Sequence, residues 1–512
     1  MMRRSALALV AIIAAFGLAA PLFAQDVSAH PRVTEALAVI DRWIEGQRAY
    51  DAIPGVSAAV VYDQDVLWAD GYGMANRAVG IPATPETVYS VCSISKLFTS
   101  IGVMQLRDAG HVRLDDRVGE HLDWFADLAD TYPDAPPVTV QGILTHSAGL
   151  PRESDFPYWR APFPFPTREQ MMDRLSEQEE LYPAFERHQY SNLGLSLAGE
   201  IISATTGVDY HDYMRGHVLD PLGMSSTYSE IPADEHGKKM AIGYSAPGRD
   251  GSRAEVALFA ARGIAPAAGY ASTVLDLARF ASWQFRTLHG DAGSSPAGGN
   301  GDRGDGHGSG GEILAKNTLA EMHRVHWLNP DWELKWGLGF ATWRADDRTY
   351  VGHGGGCPGF ITHFSVEPDG KIATVFLSNA NGTASSTFTR RMHEIVGPAI
   401  RAAVADAEKA SRETEDNPAF EGTLYTGTYD GAPWGGETVV VEWEGGLGAM
   451  SLPTMNPMAS MARLKHVDGH TFRRVQADGE LAEEWRFEIG EDGRASRYWV
   501  HSNFSPRVTG SQ

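Results

Sequence analysis

The texture of this chain changes near residue 411, and that change limits its fold more than any other feature. Before the polar stretch Ser411–Pro418 (SRETEDNP), strand-like and helix-like runs alternate irregularly. After it come short β-type runs, Thr438–Trp443, Met461–His466, Thr471–Val475 and Trp485–Ile489, with Gly or Asp-Gly turns between them. This pattern predicts a small antiparallel barrel or sandwich over 418–512. Trp434, Trp443, Trp485 and Trp499 are read as its core rather than as a carbohydrate platform. The mixture in 30–410 argues for an α/β (α+β) domain rather than a repeat array, and 512 residues are enough for both.

Within the first part, Val56–Tyr62 and Val66–Gly71 read as a hairpin across Asp63–Asp65, and Thr374–Ser378 as a buried strand. Leu97–Asp108, Ser196–Thr206 and Leu275–Leu288 carry helical periodicity, the last opened by a capping box from Thr273 to Asp276. Residues 288–312 are Gly, Ser, Asp and Pro with almost no apolar content. They are expected to be a disordered surface insert, and its His289 and His307 repeat no ligand spacing.

The N-terminus is expected to be a signal peptide over 1–24, with cleavage after residue 29 as a variant. Arg3 and Arg4 precede the apolar run Ala6–Ala20. A membrane anchor is the alternative, disfavoured by the short run, so the mature protein is expected to be exported to the periplasm or secreted without stable membrane insertion. With 43 Lys+Arg against 65 Asp+Glu the net charge is −22, which argues against a nucleic-acid partner. Two cysteines, Cys92 and Cys357, make neither a disulfide scaffold nor a zinc spacing, and no cofactor or metal is expected.

Three local patterns carry chemistry. In Cys92-Ser93-Ile94-Ser95-Lys96, a Ser lies three residues before a Lys at the start of an apolar helix. That spacing lets the Ser93 hydroxyl and Lys96 amine meet, and burial of Lys96 would lower its pKa and free it as a base. The bland alternative is a helix cap with a solvated Lys. Tyr190-Ser191-Asn192 opens another apolar helix. A phenol beside an ammonium would have a depressed pKa and could share proton transfer, and Asn192 could hold a substrate carbonyl or amide. A core Tyr followed by a capping Asn explains it equally well. In His353-Gly354-Gly355-Gly356 the glycines permit close approach of a ligand, and the Gly356 N–H is a candidate oxyanion donor; a Gly-rich turn with a surface His is the alternative.

Together these motifs resemble the serine β-lactamase and penicillin-binding-protein superfamily, in its class C-like branch. IPGVSAAVVYDQDVLWADGYGMAN (53–76), TVYSVCSISKLFTSIGVMQLRDAGHVRLDDRV (87–118), VTVQGILTHSAGLP (138–151), DPLGM (220–224), Ala268–Phe280 and WGLGF (336–340) follow in the family's order, covering about 35–400. The resemblance implies a central antiparallel sheet flanked by helices plus an all-helical region. It implies Ser93 as the acylated nucleophile, Lys96 as its base partner, and Tyr190 as the proton relay to the leaving group. Asn192, His353 and Gly355 would contact substrate, and the backbone N–H groups of Ser93 and Gly356 would form the oxyanion hole. Which of Lys96 and Tyr190 is the general base stays open, and His146 is read as structural. His353 stands where β-lactamases commonly carry a Lys and is mostly neutral at pH 7, which favours an ester or peptide-like amide over potent penicillin hydrolysis. Cys92 and Cys357 both flank these motifs; free thiols are the favoured state and a disulfide the alternative. The implied function is a serine hydrolase acting through an acyl-enzyme on a small ester, peptide or β-lactam. The alternative is a non-catalytic or acylation-only penicillin-recognising sensor. A metallohydrolase and an α/β-hydrolase are disfavoured, since HExxH and G-x-S-x-G are absent. Oligomeric state is left open.

Overall fold

The computed structural model describes residues 27–290, 312–345, 347–414, 421–433, 436–443, 446–454, 460–476 and 479–508. The expected signal peptide, most of the Gly-rich insert and Trp434 lie outside them. The chain divides into two compact units, Asp26–Ala403 and Val404–Gln512.

The first unit is built on a nine-stranded antiparallel sheet. Its strands are β1 (Gly55–Tyr62), β2 (Asp65–Asn76) and β3 (Ile81–Pro82), and, after the short pair β4 (Tyr89–Ser90) and β5 (Ala271–Ser272), β6 (Trp327–Leu328), β7 (Lys335–Trp336), β8 (Ala341–Ala345), β9 (Arg348–Cys357), β10 (Phe360–Glu367) and β11 (Ile372–Ser378). Their spatial order is β3-β2-β1-β11-β10-β9-β8-β7-β6. The middle strands β1 (GVSAAVVY) and β11 (IATVFLS) are buried nearly throughout, which is why they read as continuous apolar runs rather than alternating ones. Phe364 packs against Phe280 of helix Val274–His289, while Phe376 packs against Phe388 of helix Ser385–Thr414. Phe364 is paired with Val375, so successive residues of β11 serve opposite faces, each covered by helix.

An all-helical region is built from α1 (Ser95–Asp108), α2 (Asn192–Thr206) and α3 (Ala265–Ala268). In it Phe98 stacks on Tyr270, ring centroids 5.0 Å apart. Helix α2 starts at Ser191, whose hydroxyl accepts from Gly194 N at 2.8 Å, and ends at Gly207, whose φ of 69° is left-handed.

The second unit carries eight antiparallel strands in sequence order, from Gly427–Asp430 to Asn503–Pro506. Tyr429 bridges Arg507, and Val508 N donates to Thr428 O at 2.8 Å, so the sheet nearly closes into a barrel. Tyr425, Tyr429, Phe472, Phe487 and Tyr498 fill it. The three described tryptophans do not make the core as expected. Trp485 only packs against it, Trp443 is 37% exposed, and strand alternation turns Trp499 away from the side occupied by Tyr498.

Three further expectations are corrected. The capping box before Val274–His289 is half formed: Thr273 Oγ1 accepts from Asp276 N at 3.1 Å, but the Asp276 carboxylate instead accepts from Ser226 N and Thr227 Oγ1, both at 2.8 Å. The insert is shorter than 288–312, because Leu288 and His289 finish that helix and Glu312 accepts from Arg286 and Thr287. The polar stretch after 410 begins as helix through Thr414, since Ser, Arg, Glu and Thr permit helix and no proline intervenes.

Candidate active site

Ser93 and Lys96 meet where β4 ends. Val91 N donates to Tyr270 O at 2.9 Å, the chain turns through Cys92 at φ 52°, and a single 3-10 turn (Cys92–Ile94) carries Ser93 into α1. Ser95 fixes the turn by donating its hydroxyl to Cys92 O at 2.5 Å and accepting from Tyr270 N at 3.0 Å. Ser93 is partly exposed, whereas Lys96 is fully buried. The Lys96 Nζ lies 3.3 Å from Ser93 Oγ, 2.8 Å from Asn192 Oδ1 and 2.7 Å from Ala267 O. Burial drives its pKa well below the ordinary lysine value; the Glu153 carboxylate opposes this and Arg152 adds to it. A solvated lysine is therefore not what this spacing produces.

Helix α2 delivers the second group. Ser191, not Asn192, is the cap, and it also donates to Pro151 O at 2.6 Å. This leaves Asn192 in the first helical turn, turned inward and 2% exposed. Its carbonyl takes Lys96, and its amide nitrogen is 3.0 Å from both oxygens of Glu153. The amide expected to hold substrate is thus engaged by protein at both ends. Tyr190 stands beside it, with Lys96 Nζ 4.9 Å from its ring centroid. Its pKa is raised, not depressed: desolvation outweighs the opposing effects of Ser93 and Arg152. Tyr190 therefore keeps its proton at rest.

Strand β9 supplies the third wall. Strand β8 pairs with it only as far as Gly352, so His353–Cys357 continue past that neighbour toward the Ser93 turn. Gly355 is what permits the approach: a Cβ there would lie 2.2 Å from Val91 O and 2.3 Å from Thr362 Oγ1. Its missing side chain serves backbone packing, and Gly355 is buried rather than presented to substrate, while Gly356 is exposed. His353 donates from Nδ1 to Gly354 O at 2.5 Å, so Nε2 is the bare acceptor, and it has no partner among the described residues. Burial, with Lys96 second, lowers the His353 pKa to about 3, and the ring carries no charge at neutral pH. Cys92 and Cys357 are joined in a disulfide, Cα to Cα 5.7 Å, so free thiols are not the state found. The bond ties the residue before Ser93 to the residue after Gly356.

Other groups complete the site. The His146 ring lies 4.2 Å from that of Tyr190 and accepts from Ser191 N at 3.2 Å, a supporting position. Trp336 closes the far side, 5.5 Å from His353 and 6.0 Å from Tyr190 between ring centroids. Glu153 and Arg152 were not legible in the sequence as site residues. Their signal was a charged pair directly after THSAGLP, a segment already placed in the family pattern.

The beta-lactamase family model matches residues 40–396. The chain belongs to the beta-lactamase family. It is 28% identical to "Penicillin-binding protein 4" of Amycolatopsis lactamdurans over 389 residues, 74% of this chain and 95% of that protein. The octameric penicillin-binding protein homologue from Pyrococcus abyssi shares its fold over 92% of this chain and 99% of that one, at 22% identity and a TM-score of 0.59. A class C beta-lactamase aligns over 72% of this chain and 98% of its own length, at 20% identity and a TM-score of 0.57. Members of this family are generally serine hydrolases, and no helix among the described residues is long and apolar enough to cross a membrane.

Proposed function

We propose that this protein is an exported serine hydrolase, periplasmic or secreted, that cleaves an ester or amide through an acyl-enzyme on Ser93. The observation carrying the reading is the Lys96 amine: fully buried, 3.3 Å from Ser93 Oγ, with its pKa pushed well below the ordinary value. A neutral amine there accepts the Ser93 proton as Oγ attacks the substrate carbonyl. The oxyanion that forms is held by the backbone N–H groups of Ser93 and Gly356. The leaving group departs with a proton delivered through Tyr190, whose raised pKa suits a donor better than a resting phenolate. Water then attacks the acyl carbon, its proton returns to the same groups, and Ser93 is freed. Asn192 orients Lys96, and His353 offers Nε2 to a substrate N–H or O–H.

A fluorophosphonate probe or labelled penicillin should attach to Ser93, and Ser93→Ala should abolish attachment; labelling elsewhere contradicts the assignment. Nitrophenyl esters, a chromogenic cephalosporin and D-Ala-D-Ala peptides would then separate esterase, β-lactamase and carboxypeptidase chemistry. Stable labelling with no turnover across the panel would favour the acylation-only sensor.

A further inference from the structure

We propose that the cavity between the outer face of the nine-stranded sheet and helix Ser385–Thr414 is a binding site for a small, uncharged aromatic alcohol of the phenol class. The inference is independent of the chemistry at Ser93.

The cavity encloses about 280 Å³. A dry space of about 150 Å³ already admits benzene, so a substituted ring fits here. It lies on the face of the sheet turned away from the nucleophile. Thr362 of β10 donates to Val91 O beside the Ser93 turn, and strand alternation sends the next residue, His363, to the other face. Ser365 shares that face, and its hydroxyl meets His393 of the helix at 3.0 Å.

Aromatic rings wall the space. Trp343 and Tyr350 are paired across β8 and β9, with planes 12° and centroids 6.0 Å apart. The His363 ring is 5.8 Å from that of Trp343, and the His393 ring 5.0 Å from that of Tyr350. Such walls offer π faces and ring edges to a flat ligand. They offer it no free charge. Burial lowers the pKa of His363 to about 4 and that of His393 to about 3, so both imidazoles are neutral at pH 7. At the mouth Arg390 donates to Glu394 at 2.7 Å, and Arg391 donates to the same carboxylate. A charged ligand would lose its hydration without a counter-charge.

One polar atom is left for the ligand. His393 is 4% exposed, and its Nε2 also lies 3.4 Å from Ser365 O. A carbonyl only accepts, so Nε2 carries the ring proton and Nδ1 is an acceptor. That Nδ1 is buried and has no partner among the described residues. A bare buried acceptor is unfavourable, and a ligand hydroxyl donating to it removes the penalty. A flat apolar ring bearing one donor therefore suits this cavity.

The test uses the purified full chain and three probes followed by ¹⁹F NMR titration: 4-fluorophenol, fluorobenzene and 4-fluorobenzoate. The phenol should bind saturably, about three- to tenfold more tightly than fluorobenzene, and the benzoate about tenfold or more weaker than the phenol. Ala345→Trp, which fills the cavity from β8, should abolish binding of both neutral probes while circular dichroism stays native. Thr387→Trp, at the exposed mouth, repeats the block if Ala345→Trp does not fold. His393→Phe keeps a ring but removes the acceptor, and should bring the phenol-to-fluorobenzene ratio close to one. No saturable binding to the wild type, binding that survives the blocking variants, a benzoate held as tightly as the phenol, or a ratio that His393→Phe leaves unmoved would overturn the site. None of these results bears on labelling of Ser93.

Discussion

Breaking the Cys92–Cys357 bond should cost this protein both stability and turnover. The bond spans 265 residues. A chain-entropy account of a loop that long gives about 5–6 kcal/mol, an upper figure, since measured disulfides commonly contribute about 2–4 kcal/mol. Part of the local geometry should survive without it, because Thr362 Oγ1 still donates to Val91 O at 3.2 Å and Gly355 still packs on that carbonyl. We therefore expect Cys357→Ser to lose about 2–4 kcal/mol in urea unfolding followed by a probe in the first unit. Turnover should drop further than stability suggests. The bond anchors the residues adjoining Ser93 and Gly356, and a shift of about 1 Å between reacting groups can cost about 100-fold. Cys92→Ser should behave alike, and the double variant should be no worse than either single one, because each removes the same bond. Dithiothreitol should reproduce both losses in the wild type and add nothing to the variants. Full activity and an unchanged urea midpoint after a titration counting two free thiols would refute the account.

Three other outcomes follow from the site and the core. Lys96→Ala should lower the rate of Ser93 acylation by about 100-fold or more while circular dichroism stays native; it should also remove the acid limb of the pH–rate profile, along which the wild-type rate rises with pH as the buried amine loses its proton. Asn192→Leu, nearly isosteric, strips Lys96 of one acceptor and Glu153 of its amide donor, and should cost about 1–3 kcal/mol in stability together with most of the activity; a neutral outcome in both assays would remove Asn192 as the orienting group. His323, His353 and His393 are buried with pKa values lowered to about 3, below the unfolded value of about 6.5, so their contribution is present above pH 6.5 and is lost as pH falls toward 3, by about 1.4 kcal/mol per pH unit for each group. Urea midpoints at pH 7 and pH 5 should differ accordingly, and His393→Phe should flatten the dependence; equal midpoints in the wild type would contradict it.

The parts of this molecule that were legible in its sequence are those set by local rules. The central strands follow from unbroken apolar runs, and the meeting of Ser93 with Lys96 follows from their spacing at a helix start. What escaped depends on groups distant in the chain. Glu153 reaches Asn192 across 39 residues, and Cys357 reaches Cys92 across 265. Asn192 shows why such pairings change the chemistry. Its residue type allows it to bind substrate, but once Glu153 occupies the amide nitrogen and Lys96 the oxygen, the same side chain is committed to orienting the base. Tyr190 is the parallel case. A neighbouring ammonium alone would depress its pKa, yet the burial that lowers the Lys96 pKa also desolvates the phenol and raises it. One physical cause, exclusion of water behind Ser93, drives the two pKa values apart, the lysine down and the tyrosine up. It leaves an amine able to take a proton beside a phenol able to give one, which is the division of labour that acyl transfer needs.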